Sequence, residues 1–290
     1  MENLSDSASQ PTISGEVSTA VVYGGDHSPW VQAVLMGLTE KGVDWTLRST
    51  PPLATFFKWG VLMPTMSIAG GPWRKQSSEL LVSIGFEPLS EQDQSAIQSA
   101  WQGVVYRPQN LMRFLHSFAE AGDVSSSSLA RSLRNMARGF IALYMMTLIT
   151  IVRLSGKVTD PDDWGNQFLY WEDKLAESEG PFIDGSAPGS QDLLLFGMVQ
   201  CHSSIPVPPL EALRNDVRLN RLRHWIGIMQ ERFKKLGHLY SGQFFEPYAP
   251  PPKAASSLQQ MMFYLGFACV VVCLPITLLL VFFFIARTPR

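Results

Sequence analysis

Ser28 is the residue whose sequence context points most directly to chemistry. It precedes Pro29 and a helical pattern that runs to Lys41 and stops at Gly42, which is the order of an N-cap, a first-turn proline and a terminating glycine. Free N–H groups and the helix dipole stabilise an anion at a helix N-terminus, so the Ser28 hydroxyl could hold a substrate thiolate. A hydroxyl that caps the helix is not free to face a ligand. The sequence fits both roles.

Cysteine and histidine chemistry has little support in this sequence. Two of the three cysteines, Cys269 and Cys273, lie in an apolar C-terminal tail, and Cys201 is the first along the chain. Thiol–disulfide exchange through a protein thiol at an N-terminal helix is therefore not expected. The five histidines do not have the spacing of metal ligands, and we predict no metal site.

The elements that would position Ser28 form an α/β pattern. Val17–Tyr23 and Asp44–Arg48 are predicted strands on either side of the Ser28 helix, a succession that packs as a right-handed crossover with the strands parallel. Met66–Ala69 is a further predicted strand, Gly70 and Gly71 form a turn, and a second helix begins near Gln76. The sequence thus predicts an α/β domain over residues 17–89.

Downstream of Ser90 the patterns are helical, which predicts an all-α domain over residues 90–244. The apolar run 140–152 is too short to span a bilayer, and we expect it to be the buried central helix of that domain. Residues 1–16 are rich in serine and contain no Lys or Arg, so they are predicted to be a disordered leader.

Three segments of the α/β half resemble the thioredoxin-like N-terminal domain of the cytosolic glutathione transferase superfamily, in the classes that use a serine. The segments are Tyr23-Gly-Gly-Asp-His-Ser-Pro-Trp30 with the following LMGLTEKGVDW, then Leu62-Met-Pro-Thr65, then Lys75-Gln-Ser-Ser-Glu-Leu-Leu81. Their order and spacing match the family, and the helical remainder fits it as well. The resemblance covers roughly residues 17–240. It implies a thioredoxin-like domain followed by an all-helical bundle domain.

The resemblance also implies roles for individual residues. Ser28 would stabilise the thiolate of glutathione, and the backbone of Met63 would pair with the tripeptide beside a cis peptide bond at Pro64. Gln76 and Ser77 would meet the γ-glutamyl part, with Ser77 receiving its carboxylate at a helix N-terminus. Ser77 could instead be only an N-cap. Glutathione would be a co-substrate, and no cofactor is expected.

The chain departs from the family pattern at two places. Many members have a basic residue before the cis-proline loop, where this chain has Val61 and Leu62, and Lys58 could substitute for it. The segment Phe182–Leu193 resembles the capping segment before the family's core helix, with Asp192 as its buried structural acid. Gly189 replaces the usual Ser or Thr there, which should still allow the helix to form.

The C-terminal tail has the composition of a membrane anchor. No charged side chain occurs from Met261 to Ala286, a run longer than the ~20 residues that a helix needs to cross the hydrocarbon core. We predict one transmembrane helix over 261–286 with a local kink at Pro275, preceded by a Pro-rich linker over 245–260. Such a tail anchor would leave the soluble body facing the cytosol.

These features predict a membrane-anchored glutathione transferase-like enzyme that conjugates glutathione to an apolar electrophile. The expected partners are glutathione, a hydrophobic small molecule, membrane lipid and a second copy of the chain. The net charge of −2 argues against nucleic acid as a partner. Two alternatives stay open: a non-catalytic binding or assembly module of the same fold, and a membrane-remodelling factor.

Overall fold

The fold is that of a computed structural model, in which a defined part of the chain is described. Both the predicted leader, 1–16, and the first ten residues of the predicted Pro-rich linker, 245–254, lie outside that part. The described residues are 19–25, 28–48, 51–103, 109, 111–120, 127–156, 161–203, 207–236 and 255–287.

The N-terminal half contains a small mixed sheet. Its strands are β1 (Ala20–Tyr23), β2 (Trp45–Arg48), β3 (Thr65–Ile68) and β4 (Arg74–Lys75), in the order β2-β1-β3-β4. The first two strands are parallel, and the other two pairs are antiparallel. The parallel crossover predicted from the sequence is therefore confirmed.

Three helices belong to this half, namely α1 (Pro29–Glu40), α2 (Leu53–Trp59) and α3 (Ser77–Ser83). The crossover helix α1 is buried along most of its length and ends at Lys41, followed by Gly42 with a φ of 65°. The left-handed conformation at that position suits a glycine C′ residue, as the sequence predicted. Neither α2 nor β4 was predicted from the sequence.

The helical half begins at Glu91, and one of its helices is almost entirely buried. Its helices are α4 (Glu91–Trp101), α5 (Leu111–Glu120), α6 (Ser128–Leu154), α7 (Asn166–Glu177), α8 (Ser190–Ser203), α9 (Pro208–Asn215) and α10 (Asn220–Phe233). Every residue of α8 except Gln191 is buried. A Cβ atom added at Gly197 would lie 2.4 Å from the Pro29 carbonyl oxygen, so the backbones of α8 and α1 touch. The two halves therefore share one core.

The apolar run 140–152 was wrongly expected to be the central helix. It lies within the longer α6, many of whose side chains are only partly buried, and the central position belongs to α8. Among the described helices, α6 is the one that is long and apolar enough to cross a membrane by itself. If each of two bent helix pairs is counted as one span, the number of candidate spans rises to three.

The C-terminal tail also differs from the single predicted helix over 261–286. It forms α11 (Ser257–Val272) and α12 (Leu274–Arg287), which meet at Cys273 with a bend of 95°. Pro275 cannot donate a backbone hydrogen bond and its ring clashes with the preceding turn, so a helix breaks here. The Thr277 hydroxyl lies 2.9 Å from the Val270 carbonyl oxygen and partly satisfies the broken turn.

Both tail helices pack against α6. A Cβ atom added at Gly266 would lie 2.1 Å from the Met136 carbonyl oxygen, so α11 and α6 approach with their backbones in contact. Glycine at such crossings permits close van der Waals packing between helices. Farther along, Val281 and Ile285 of α12 form a small apolar cluster with Tyr144 of α6.

Candidate functional site

Ser28 lies at the N-terminal end of α1 without capping it through its side chain. Its backbone is extended, with φ −82° and ψ 124°, and its carbonyl oxygen accepts a hydrogen bond from the Gln32 N–H at 3.0 Å. Its own N–H donates to the Gly25 carbonyl oxygen at 3.0 Å. The half-buried side chain makes no cap hydrogen bond. The hydroxyl is therefore not engaged in the structural role that the sequence left open.

A sulfur contact links the loop before α1 to the loop before β3. The Gly25 N–H donates to the Met63 thioether sulfur at 3.3 Å, and the Met63–Pro64 peptide bond is cis. The resemblance implied a cis bond at this proline. Met63 therefore connects the loop before α1 to the cis-proline loop.

Gln76 has an unusual backbone conformation at the start of α3. Its φ is 67° and its ψ is 117°, a region that non-glycine residues seldom occupy and that costs about 1–3 kcal/mol. The residue directly follows β4, whose Lys75 pairs with Thr65 of β3. Gln76, not Ser77, holds the N-cap position, and Ser77 is the first helical residue.

A cavity of about 200 Å³ opens where the cis-proline loop and the start of α3 meet α4 and α8. Its walls contain four of the five residues that the resemblance assigned to catalysis or glutathione binding, and Ser28 is the exception. The lining residues are Trp30, Leu62, Met63, Pro64, Gln76, Ser77, Ser78, Leu89, Gln94, Ile97, Gln98 and Leu194. The structure thus brings the predicted Met63–Pro64 and Gln76–Ser77 pairs to one pocket, and Gly25, in the loop before Ser28, contacts Met63.

The helical half supplies pocket residues that the sequence analysis missed. Gln94 and Gln98 lie one turn apart on α4 on either side of Ile97, and Leu194 comes from α8. A signal existed in the sequence, because residues four apart share one helix face. It could not show which face meets the other domain.

Among the described residues that line this pocket, none has a charged side chain. Lys58, proposed as a substitute cation, is not among the lining residues, and its ammonium lies 4.9 Å from the ring centre of Trp59. Leu62 lines the pocket at the point where many family members have a basic residue, while Val61 packs against the tail cluster. The departure noted in the sequence therefore leaves this wall apolar.

The α4 helix that bears the two glutamines is fixed by a buried carboxylate. Ser90 and Asp93 form a reciprocal capping box, and Asp93 also accepts hydrogen bonds from Tyr170 at 2.7 Å and Lys174 at 2.6 Å. Burial alone would raise the pKa of the Asp93 carboxyl, but the hydrogen bonds from Lys174, Ser90 and Tyr170 outweigh it and the pKa lies below its usual value. Asp93 is therefore ionised at neutral pH and ties α4 to α7.

Asp192 is enclosed by hydrogen-bond donors. Its carboxylate accepts from the N–H groups of Ile183 at 2.8 Å, Asp184 at 3.1 Å and Gly189 at 3.1 Å, and from the Trp225 indole at 2.7 Å. Burial raises the pKa of Asp192 to about 6 although these donors act against the rise. The group holds the 182–189 loop to α8 and α10, the structural position that the sequence assigned to it.

Comparisons with known proteins give only distant structural likenesses. No protein-family model matches the sequence, and no characterised protein matches it. A tau class glutathione S-transferase from mango, Mangifera indica, is 15% identical, with a TM-score of 0.40 over 72% of this chain and 87% of that one.

Two further structures hold ligands. A theta class glutathione S-transferase from Xanthomonas axonopodis pv. citri with glutathione bound is 15% identical, with a TM-score of 0.38 over 73% of this chain and 93% of that one. A maleylacetoacetate isomerase from Anaeromyxobacter dehalogenans with bound dicarboxyethyl glutathione is 15% identical, with a TM-score of 0.40 over 82% and 100%. These values support no assignment of residues or activity to this chain.

Proposed function

We propose that this protein is a membrane-anchored, glutathione transferase-like enzyme that conjugates glutathione to an apolar electrophile. The observation that carries the proposal is the pocket in which the cis Met63–Pro64 loop and the start of α3 face α4. Met63 would offer its backbone to the tripeptide, and Gln76 and Ser77 would meet the γ-glutamyl end. The sequence motifs that carry the family resemblance are the ones that form these walls.

Ser28 would act on the sulfur atom. A free alkyl thiol has a pKa near ~8.5 and is only a few per cent thiolate at neutral pH. The Ser28 hydroxyl, which makes no cap hydrogen bond, can donate to the thiolate and so lower that pKa. The thiol proton leaves to solvent, and the thiolate forms a carbon–sulfur bond as the electrophile loses its leaving group or accepts the electron pair.

The apolar part of the pocket would receive the second substrate. Trp30, Leu62 and Leu89 present apolar side chains to the cavity, and Ile97 and Leu194 extend this surface into the helical half. Burial of apolar ligand surface there would supply affinity of about 25 cal/mol per Å² without a charged partner. A homodimer of the kind implied by the resemblance is part of the proposal.

The tail would hold this body to a membrane through α11 and α12. Support comes from the uncharged run Met261–Ala286 and from the many large apolar side chains that both helices expose. We propose that the body lies on the cytosolic side of that membrane. Attachment by the tail is also the basis of the next inference.

The test of the enzymatic claim is Ser28→Ala in the full chain. A hydrogen bond to a charged partner contributes about 1.5 to 3 kcal/mol, so conjugation should fall roughly 10- to 100-fold while glutathione affinity changes much less. Ser95→Ala is a matched control, because this exposed α4 serine does not line the pocket. The ultraviolet absorbance of the bound thiolate should fall in parallel. Conjugation at the wild-type rate would remove Ser28 from the mechanism.

A second candidate function is a non-catalytic, membrane-tethered binding module of the same fold. The described lining residues, none of which is charged, favour it, because glutathione has two carboxylates and an ammonium group to be matched. Retention on immobilised glutathione separates the two candidates. A full chain that is folded but not retained would support the binding module and refute the transferase.

A further inference from the structure

The short helix α2 exposes two large apolar side chains beside the candidate site. Leu53 is 74% exposed and Phe57 is 70% exposed, although both belong to a helix of only seven residues. Among its residues only Thr55 is buried. Single exposed apolar residues are ordinary, whereas a contiguous exposed apolar patch indicates an interaction site.

The apolar surface of α2 continues onto the tail helix α12. The rings of Phe56 and Phe284 meet edge to face with their centroids 5.4 Å apart, and Phe57 contacts Phe56 at 5.8 Å. Just beyond α2, Val61 packs against the cluster formed by Tyr144, Val281 and Ile285. The two helices therefore touch through the Phe56–Phe284 pair.

The described outward side chains of α12 are apolar. The single uncharged polar side chain of this helix, Thr277, is 8% exposed and turned inward, where its hydroxyl meets backbone carbonyl oxygens. We call the exposed set the α2–α12 face. Its members are Leu53, Phe57, Ile276, Leu279, Phe282 and Phe283, each at least 46% exposed.

The composition of this face identifies its partner. Interfaces between proteins contain about one hydrogen bond per 100–200 Å² and a polar rim, and the α12 part of the face offers no side chain for such bonds. Lipid acyl chains need none. At the end of α2, the Lys58 ammonium lies 4.9 Å from the Trp59 ring centre, and tryptophan and lysine are typical residues of the headgroup region.

We infer that α2 is a second membrane-contacting element, and that the α2–α12 face lies on the bilayer at the boundary between headgroups and acyl chains. This inference rests on the proposed attachment by the tail. Residues 60–62 connect α2 directly to the cis Met63–Pro64 bond at the pocket. The candidate site then sits at the membrane surface, and its second substrate is an electrophile dissolved in lipid.

The test places a photoreactive benzoylphenylalanine at one position at a time in the full chain, reconstituted into phosphatidylcholine vesicles. Leu53 and Phe57 probe the inference, and Leu279 of α12 reports on the tail. Val217, in the turn between α9 and α10, is an equally exposed apolar control at 85%. Irradiation should yield lipid adducts at Leu53, Phe57 and Leu279 roughly tenfold above Val217, because only residues at the boundary meet acyl chains.

The outcomes separate the inference from the proposal beneath it. Lipid adducts at Leu279 with none above the Val217 level at Leu53 and Phe57 would overturn the inference while the tail attachment stands. No adducts at Leu279 would refute the attachment and the inference together. Adducts from Leu53 or Phe57 to another protein chain in place of lipid would assign the face to a second copy and would also overturn the inference.

Discussion

At the start of α8, Asp184 supplies the capping side chain that Gly189 lacks. A double substitution can measure the energetic coupling between these two positions. The Asp184 carboxylate accepts hydrogen bonds from the Gln191 N–H at 3.0 Å and from the Gln191 side-chain amide at 2.6 Å. A Cβ atom added at Gly189 would lie 2.2 Å from the Asp184 Oδ2 and 2.6 Å from its Cβ. The Asp184 side chain thus fills the space of a cap side chain at position 189, where only glycine fits.

The effect of Gly189→Ser should therefore change sign with the residue at position 184. In the wild-type chain the new side chain displaces Asp184 and removes its hydrogen bonds to Gln191. Loss of a cap costs about 0.5–2 kcal/mol, and the serine hydroxyl returns only part of it, so we expect destabilisation of about 1 kcal/mol. In the Asp184→Ala chain the obstacle is gone, and Gly189→Ser should stabilise by a few tenths of a kcal/mol.

The assay is urea unfolding of the full chain in mild detergent, followed by the fluorescence of the buried Trp171 and Trp225. The coupling between positions 184 and 189 should reach about 1 kcal/mol or more, as is typical of residues in contact. Asp184→Ala alone should destabilise by about 0.5–2 kcal/mol as a lost cap. Additive effects of the two substitutions, or a stabilising Gly189→Ser in the wild-type chain, would refute the reasoning.

Two further predictions concern Asp192 and the α6–α11 crossing. Burial raises the pKa of Asp192 from 3.8 to about 6. The contribution of this group to the free energy of unfolding is therefore fully present below pH 3.8 and is lost as the pH rises through about 6, a change of about 3 kcal/mol. Unfolding measured against pH should show this loss in the wild type and not in Asp192→Asn; equal slopes would contradict it. Gly266→Leu places a side chain against the Met136 carbonyl, 2.1 Å from its Cβ, and should increase hydrogen exchange in α6 residues 134–145, whereas unchanged exchange would show that the crossing is not tight.

The sheet and its crossover could be predicted because the local signals were strong. A β-branched run, an N-cap followed by proline, and a terminating glycine each have a physical cause in the residue itself. The missed elements lacked such signals. The helix α2 follows two prolines and has seven residues, and β4 has two residues that are strands only because Lys75 and Arg74 pair with β3. Pairing of that kind depends on tertiary context.

Some residues of the candidate site could likewise be predicted from local motifs, and others could not. Met63, Pro64, Gln76 and Ser77 were placed by sequence motifs, and the structure brings them to one pocket. The glutamines of α4 could not be placed, because the contact between the two halves decides which helix face meets the pocket. From the sequence, Gly189 appears as an N-cap without a side-chain acceptor. Only the folded structure shows that the carboxylate of Asp184 accepts the hydrogen bond in its place.

The prediction of one continuous helix for the tail was wrong, because composition does not determine the path of a chain. An uncharged run long enough to span a bilayer favours one continuous helix, and the single proline was expected to give only a local kink. The structure instead has two helices at 95° with Cys273 between them, and both pack against α6. The second helix can then cover Tyr144 and reach Phe56 of α2, contacts that a straight tail would lose.

Hydrogen bonds between α4 and α7 argue against α6 as a membrane-spanning helix, although α6 is long and apolar enough to cross a membrane. It separates α4 from α7 in the chain, yet Asp93 of α4 is hydrogen-bonded to Tyr170 and Lys174 of α7 at 2.7 and 2.6 Å. A single crossing by α6 would place these partners on opposite sides of the bilayer. The 155–165 connection cannot return the chain, because it is too short for a spanning helix of ~20 residues and an extended strand would leave backbone groups unpaired in lipid. We infer that α6 stays in the body with its apolar surface covered. The proposed membrane attachment keeps that surface covered if α12 remains on α6 and lies along the bilayer beside α2.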